Sequence, residues 1–277
     1  MPAKIITLAI QKGGSGKTTN SVNVAHTMAT MNNEIGVKNK ILLIDMDPQA
    51  SLSNWYGHSE FEDHNNIFTL LNDNIAEPIN VAKNVDLIRG SHNLLAVEQL
   101  DIPINYLRDV LEQYRAGYDY IIIDTPPSVG SITKISIFAS DKTFVPIQAT
   151  PLAFRGISAI LKLIETVEKT DKSKKLGGIF LCCTSSKQNL TKLIKESLDE
   201  EYQPYNLQTN IRASVDVASS MLAQQSVLEY APISMVKLDY QSLTKEIIEV
   251  LKRPKDYTPK PAIKKVYSSE TIIVRQS

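Results

Sequence analysis

The sequence predicts a doubly wound α/β fold, a mostly parallel sheet with helices on both faces, and three observations carry that expectation. Residues 5–10 form an apolar run that enters a glycine-rich loop and then a helical pattern, with Val22, Ala25, Met28 and Ala29 at helix spacing. Residues 40–45 and 118–124 are two further apolar runs, and each ends in aspartate. Runs of this kind are covered on both faces, as parallel strands are, and ligands of such sheets gather at the carboxyl ends of the strands. With 277 residues, 43% of them hydrophobic, the chain can bury a large core.

The first strand leads into residues 11–19, Gln-Lys-Gly-Gly-Ser-Gly-Lys-Thr-Thr. Gly13, Gly14 and Gly16 tolerate positive φ, so successive N–H groups around Ser15 can turn inward and form a concave anion site. The helix that starts near Lys17 points its positive end at the same place. Lys17 is placed to lie along β and γ phosphates, the Thr18 hydroxyl to ligate Mg²⁺, and Thr19 to complete the phosphate cradle. The usual phosphate-loop pattern has a glycine five residues before Gly16; here that position is Gln11, and a second lysine, Lys12, sits inside the loop.

Lys-Gly-Gly-x-Gly-Lys-Thr-Thr resembles the deviant Walker A loop of the ParA/MinD superfamily, and the chain is most similar to its ParA/Soj-type DNA-partitioning ATPases. The resemblance implies a P-loop NTPase fold and ATP with Mg²⁺ as ligands. It also implies that Lys12 reaches across a homodimer, formed on ATP binding, to the nucleotide of the other subunit.

Residues 40–49 then form a strand that ends Asp45-Met46-Asp47-Pro48. The segment resembles the family's switch I, in which Asp47 would position the attacking water and Asp45 would support Mg²⁺ or its waters. From 50 to 91 the pattern weakens, with a short helix expected over 65–71, a strand over 85–88 and a turn at 89–90. Helices are expected over 97–100 and 107–114, the second with Pro103 near its start. His26, His58, His64 and His92 share no ligand spacing, so no metal or catalytic role follows from them. Residues 118–128 resemble the Walker B strand and switch II, with Asp124 holding the water shell of the metal.

Residues 144–147 read as the next strand, 148–153 as the connection that follows it, and 156–167 as an amphipathic helix with Ile157, Ile160, Leu161 and Ile164 on one face. Residues 176–183 form another buried strand. Its adjacent Cys182 and Cys183 read as reduced core residues, since neither a disulfide framework nor a C-x-x-C site has that spacing. The loop 184–189 lies where the family places residues near the base, and adenine is expected from resemblance alone. Residues 206–220 contain a Thr-x-Ile-Arg core similar to the family's late segment, and a helix is expected over 219–225. Lys187 and Arg212 fall where relatives carry basic residues for non-specific DNA binding, whereas Asp216 replaces a further basic position. Residues 240–251 read as a final amphipathic helix packed through Leu243, Ile247, Ile248 and Leu251. The division expected is an ATPase domain over 1–252 and a basic, proline-containing flexible tail over 253–277.

Lysine plus arginine and aspartate plus glutamate both number 30, so DNA contact must come from a local patch and not from overall charge. No apolar run approaches a membrane span and no signal-peptide pattern precedes the first strand, and from that early start no N-terminal helix-turn-helix is expected. A cytoplasmic, nucleoid-associated protein is expected, with no membrane partner. The resemblance implies an ATP-bound sandwich dimer that holds DNA without sequence preference. Hydrolysis, stimulated by a ParB-type centromere-binding protein, would release it. Three rival readings share the loop: a MinD-like membrane-positioning ATPase, which the proline-rich tail disfavours; a nitrogenase-iron-protein-like electron carrier, which adjacent cysteines do not suit; and a nucleotide-dependent protein-recruiting switch.

Overall fold

The computed structural model describes residues 2–58, 64–97, 102–150, 153–185, 189–254 and 257. Lys187, residues 98–100 of the expected helix 97–100, and nearly all of the tail lie outside the described residues. The chain runs β1 (Lys4–Leu8), α1 (Lys17–Thr30), β2 (Ile41–Asp45), α2 (Ser51–Trp55), α3 (Ile67–Asp73), β3 (Ile79–Ala82), β4 (Val85–Ile88) and α4 (Leu94–Val97). It continues through α5 (Tyr106–Leu111) with a 3₁₀ turn (Glu112–Tyr114), β5 (Tyr120–Asp124), α6 (Ser131–Ala139), β6 (Lys142–Gln148) and α7 (Ala153–Asp171). Last come β7 (Leu176–Cys182), α8 (Asn189–Tyr202), α9 (Val215–Leu222), α10 (Val227–Tyr230) and α11 (Met235–Leu251).

The seven strands form one sheet in the order β3-β4-β2-β5-β1-β6-β7, parallel except for the edge strand β3. Each apolar run supplies both faces by alternation. Ile6, Leu8, Ile41 and Leu43 join Val22, Met28, Leu243 and Ile247 on the face covered by α1 and α11. Their neighbours Ile5, Leu42, Ile44, Ile121 and Ile123 join Ile67, Leu107, Ile132 and Ile135 on the other, beneath α3, α5 and α6. A third cluster packs α7 and α8 onto β6 and β7 through Ile157, Ile160, Ile164, Ile194 and Leu198.

The parallel register is what assembles the site. Pairing of β1 with β5 sets Leu8 beside Asp124, and pairing of β2 with β5 sets Asp45 beside Asp124. The two sequence-predicted aspartates therefore emerge side by side at the carboxyl end, next to the loop that follows β1. Beyond β7, residues 205–213 extend the sheet irregularly. Ile179 N–H donates to Tyr205 O at 2.7 Å, Leu207 N–H to Ile179 O at 2.8 Å and Ile211 N–H to Leu181 O at 2.9 Å. This segment carries Arg212 to the same end of the sheet.

Several elements differ from the sequence expectation. The final helix begins at Met235, five residues before the expected start, because Pro232 sits just ahead of it and the chain becomes helical as soon as it clears the proline. The helix expected over 219–225 lies at 215–222, started by Ser214, whose side chain accepts from Asp216 N–H. The antiparallel β3, the short α2 and the helices α6 and α8 were not anticipated.

Close strand packing yields one prediction. A Cβ on Gly177 of β7 would lie 2.8 Å from Cζ of Phe144 and 3.1 Å from Cβ of Lys142, and Phe144 is fully buried. Gly177→Ala is expected to cost about 1–3 kcal/mol, read as a lower urea midpoint with an unchanged m-value. Gly117→Ala, whose nearest neighbour is 3.7 Å away, serves as the control; equal midpoints for the two variants would contradict the packing.

Candidate nucleotide site

Gly14 and Gly16 adopt φ of 66° and 86°, left-handed values that let the loop wrap back on itself before α1 begins. Lys17 opens α1, is buried, and directs its Nζ to Lys12 O at 3.4 Å. Burial lowers the Lys17 pKa, opposed by the attraction of Asp124 and Asp47. The ammonium therefore sits among carboxylates at the loop, where phosphates would add the charge it lacks. Gly13, Ser15, Thr18 and Thr19 line the same cavity of about 600 Å³. Ser15 and Asn20 are each 1% exposed, and Ser15 Oγ and Asn20 Oδ1 have no hydrogen-bond partner. Orphaned buried polar atoms of this sort fit a polar ligand in the cavity.

Asp124 is the centre of the site. Thr18 Oγ1 donates to its Oδ2 at 2.6 Å, and Ser21 Oγ donates to its Oδ1 at 2.9 Å. Full burial pushes its pKa up to about 6, against the lowering effect of Thr18, Lys17 and Ser21. Ser21 was not singled out from the sequence. Its signal was present, since it lies three residues after Thr18 and so on the same helix face. Thr18 and Asp124 are hard oxygen donors in contact, the donor set a Mg²⁺ ion takes.

Asp45, expected from the resemblance to support Mg²⁺ or its waters, is bonded to the turn that leads into α2. Its Oδ2 accepts from Ser53 N and Oγ, both at 2.8 Å, and its Oδ1 accepts from Asp47 N at 3.2 Å. Both oxygens are engaged by the protein, so Asp45 shapes the turn into α2. Burial first, and repulsion from Asp124 second, push its pKa up to about 7. Asp47 is nearly buried, lines the cavity, and accepts from Gln49 N–H at 2.9 Å.

Lys12 donates to Thr150 Oγ1 of its own chain at 3.1 Å. Arg212 also lines the cavity, but its charge is shared: Nε donates to Asp239 Oδ2 at 2.6 Å and an Nη to Oδ1 at 2.7 Å. The bidentate pair ties the segment after β7 to α11, so Arg212 is a locked cation at the cavity wall and not an isolated surface charge. Cys182 is buried as expected. Cys183 corrects the core reading: at φ 53° it turns the chain out of β7 and is exposed.

A second network carries α1 to the elements around it. His26 is buried, with Nε2 2.8 Å from Tyr56 Oη and Nδ1 3.2 Å from Glu229. The histidine holds the Glu229 carboxyl down at about 2. Asn23 Oδ1 accepts from Val227 N–H at 2.8 Å, and Trp55 Nε1 donates to Gln225 O at 3.2 Å. Through these contacts the helix behind the glycine loop is joined to α2, which follows Asp47, and to α10.

The family profile described as an AAA domain matches residues 3–176. A virulence plasmid ParA family protein of Chlamydia trachomatis is 32% identical over 248 residues, covering 87% of this chain and 92% of its own. The chain belongs to the ParA family. The sporulation initiation inhibitor protein Soj of Bacillus subtilis, at 29% identity over 88% of this chain and 98% of its own, is another similar protein. Among solved structures, McdA of Cyanothece superposes with a TM-score of 0.78 at 20% identity, covering 90% of this chain and 99% of that one. A plasmid partition protein of Borrelia burgdorferi bound to AMPPNP gives 0.71 at 24%, covering 90% and 98%. Cobyrinic acid a,c-diamide synthase of Mycobacterium smegmatis with ADP and magnesium gives 0.73 at 23%, covering 93% and 100%. At these identities the structural neighbours establish the P-loop fold alone.

The buried carboxyls make stability depend on pH with a definite sign. Asp45 and Asp124 hold protons in the fold at pH values where the unfolded chain has lost them, so stability falls as pH rises from about 4 through 7. Glu229 acts oppositely, and its contribution is complete above the ordinary glutamate pKa and lost only as pH drops toward 2. The ligand-free protein is expected to lose stability, on the order of a few kcal/mol, between pH 5 and pH 8 in urea unfolding. A rise over that interval would contradict the placement of these two carboxyls.

Proposed function

We propose that this ParA-family chain is a DNA-partition ATPase. ATP and Mg²⁺ bind at the glycine loop, two chains close as a sandwich dimer, and the closed dimer holds DNA without sequence preference. Hydrolysis then releases the DNA, stimulated by a ParB-type centromere-binding protein. The observation that carries the reading is the joint presence of the Thr18–Asp124–Ser21 clasp, the buried Lys17 and a second loop lysine, Lys12, bonded to Thr150. A chromosome partitioning protein among the relatives and a nucleotide-bound plasmid partition protein among the structural neighbours add support.

In this reading Gly13 to Thr19 cradle the phosphates, with the Ser15 hydroxyl able to donate to an oxyanion. Thr18 and Asp124 would hold Mg²⁺, which supplies charge neutralisation at the phosphates. Lys17 balances charge within its own chain. Lys12 leaves Thr150 and reaches the partner's nucleotide, so each site is complete only in the dimer. Asp47 orients the water that attacks. The backbone bond between Asp47 N and Asp45, and the Ser53 bonds beyond it, link that orientation to α2. Residues 1–252 form the ATPase unit and 253–277 a basic tail. Lys187, Arg212 and the tail cations are the proposed DNA contacts, with Arg212 available only to the extent that Asp239 releases it. Among the described residues no helix is long and apolar enough to cross a membrane.

One observation favours a second reading, a nucleotide-dependent switch that recruits another protein. Val215, Leu222, Ile233, Met235 and Leu238 are exposed on α9, on α11 and in the turn before α11.

Three variants test the roles. Lys17→Ala is expected to weaken ATP binding by about 100-fold, the scale of a lost charge-assisted contact. Asp47→Ala should bind ATP normally and lose about 10²–10⁴ in turnover. Lys12→Ala should bind ATP yet remain monomeric in sedimentation. Undiminished hydrolysis by Asp47→Ala would remove that residue from the mechanism, and an ATP-dependent dimer of Lys12→Ala would do the same for the crossing lysine.

A further inference from the structure

The two cysteines that follow one another at the end of β7 are not equivalent. Cys182 is buried and its thiol donates to Ser15 O of the glycine loop at 3.1 Å. Cys183 occupies a left-handed conformation, φ 53°, and is exposed on the cavity wall beside the loop. Gln148 of β6 joins the two regions: its Nε2 donates to Gly14 O and lies 3.8 Å from Cys183 Sγ. The same cavity holds the unpartnered Ser15 Oγ and Asn20 Oδ1 on side chains that are 1% exposed. An adduct on Cys183 would thus stand in the cavity that Ser15 and Asn20 also line, against the Gln148 amide that bonds the loop.

We propose that Cys183 is a thiol-modification site that gates the cavity: a low-molecular-weight disulfide adds to Cys183, and adduct and nucleotide exclude one another. The proposal rests on reading the cavity as the nucleotide site. In the step, the Cys183 thiolate attacks one sulfur of R–S–S–R. A new Cys183–S–S–R bond forms, the original S–S bond breaks, and the second half departs as R–S⁻ and takes a proton from solvent. Cys183 is oxidised and the small disulfide reduced, so the electrons balance without another reactant.

The chemistry favours Cys183 over Cys182. Its pKa is lowered by the adjacent Cys182 thiol and by the Gln148 amide, while the same contact with Cys183, and burial after it, raise that of Cys182. Lys12 from the loop and Tyr240 from α11 are the other titratable groups that sense the pair. Excess thiol reverses the step by the same exchange.

The test treats the full chain with 5,5′-dithiobis(2-nitrobenzoate), following the released thiolate by absorbance and the adduct by peptide mass. It is run without nucleotide and with ATP plus Mg²⁺, and ATP binding to unlabelled and labelled protein is measured by calorimetry. The expected result is a single fast adduct on Cys183, slowed at least about tenfold by ATP in excess over its Kd, with ATP binding lost in the labelled protein and restored by a dithiol. Cys183→Ser should lose the fast phase. Cys182→Ser, which keeps the reactive thiol, should retain it and covers the case in which Cys183→Ser fails to fold. Intact ATP binding with no protection of Cys183, or a fast adduct on Cys182, would overturn this proposal alone. Absence of ATP binding by the unlabelled protein would overturn the nucleotide reading itself.

Discussion

Asp124 bears the heaviest constraint in the molecule: a fully buried carboxylate whose oxygens are claimed by two hydroxyls of one helix. Removing a carboxylate from water is costly unless donors and cations surround it. Thr18, Ser21 and Lys17 supply them, and all three lie on the first turns of α1. The helix is therefore held to the carboxyl end of β5 at its start, and the glycine loop before it has little freedom. The parallel register then adds Asp45 as the neighbour of Asp124. Burial and then repulsion from Asp124 raise the Asp45 pKa, and Ser53 and the Asp47 amide offset part of that rise by bonding Asp45. The shape of the turn into α2 thus follows from charge packed at the sheet's end.

This arrangement gives the site its sensitivity to what enters it. A ligand that brings anionic oxygen and a divalent cation changes the balance felt by Lys17, Asp124 and Asp47 together. Direct contacts run from these residues to α2 through Asp45 and Ser53, and from α1 and α2 toward α10 through Asn23, His26 and Trp55. Helix α10 in turn contacts α9 and α11, on which Val215, Leu222 and Met235 are exposed. A path of direct contacts therefore joins the loop to a surface able to meet another molecule.

Much of this was legible in the sequence because burial on both faces leaves a strong signature. The apolar runs that became β1, β2 and β5 could be read directly, and their terminal aspartates with them. The glycine loop was legible for a related reason, since φ above zero and close backbone approach restrict residue choice. What escaped is what depends on distant contacts. Ser21 and Ser53 look like ordinary small polar residues until the register brings carboxylates to them. The segment 205–213 has no strand pattern of its own and is held by β7. Helix α6, nearly all buried, lacks the polar face that marks a surface helix, and so hid in an apolar stretch. Arg212 was visible as a basic residue, but its partner Asp239, 27 positions later, was not. Cys183 read as core because its left-handed turn is set by the end of the strand and not by its own chemistry.

In the proposed cycle, nucleotide bound at the Asp124 clasp decides whether the chain holds DNA. The most direct measurement is binding of the full-length protein to random-sequence duplex DNA with ATP, with ADP and without nucleotide, each at two salt concentrations. Binding that appears only with ATP and weakens steeply with salt is the predicted result. Intact ATP binding with no DNA association in any state would contradict the claim.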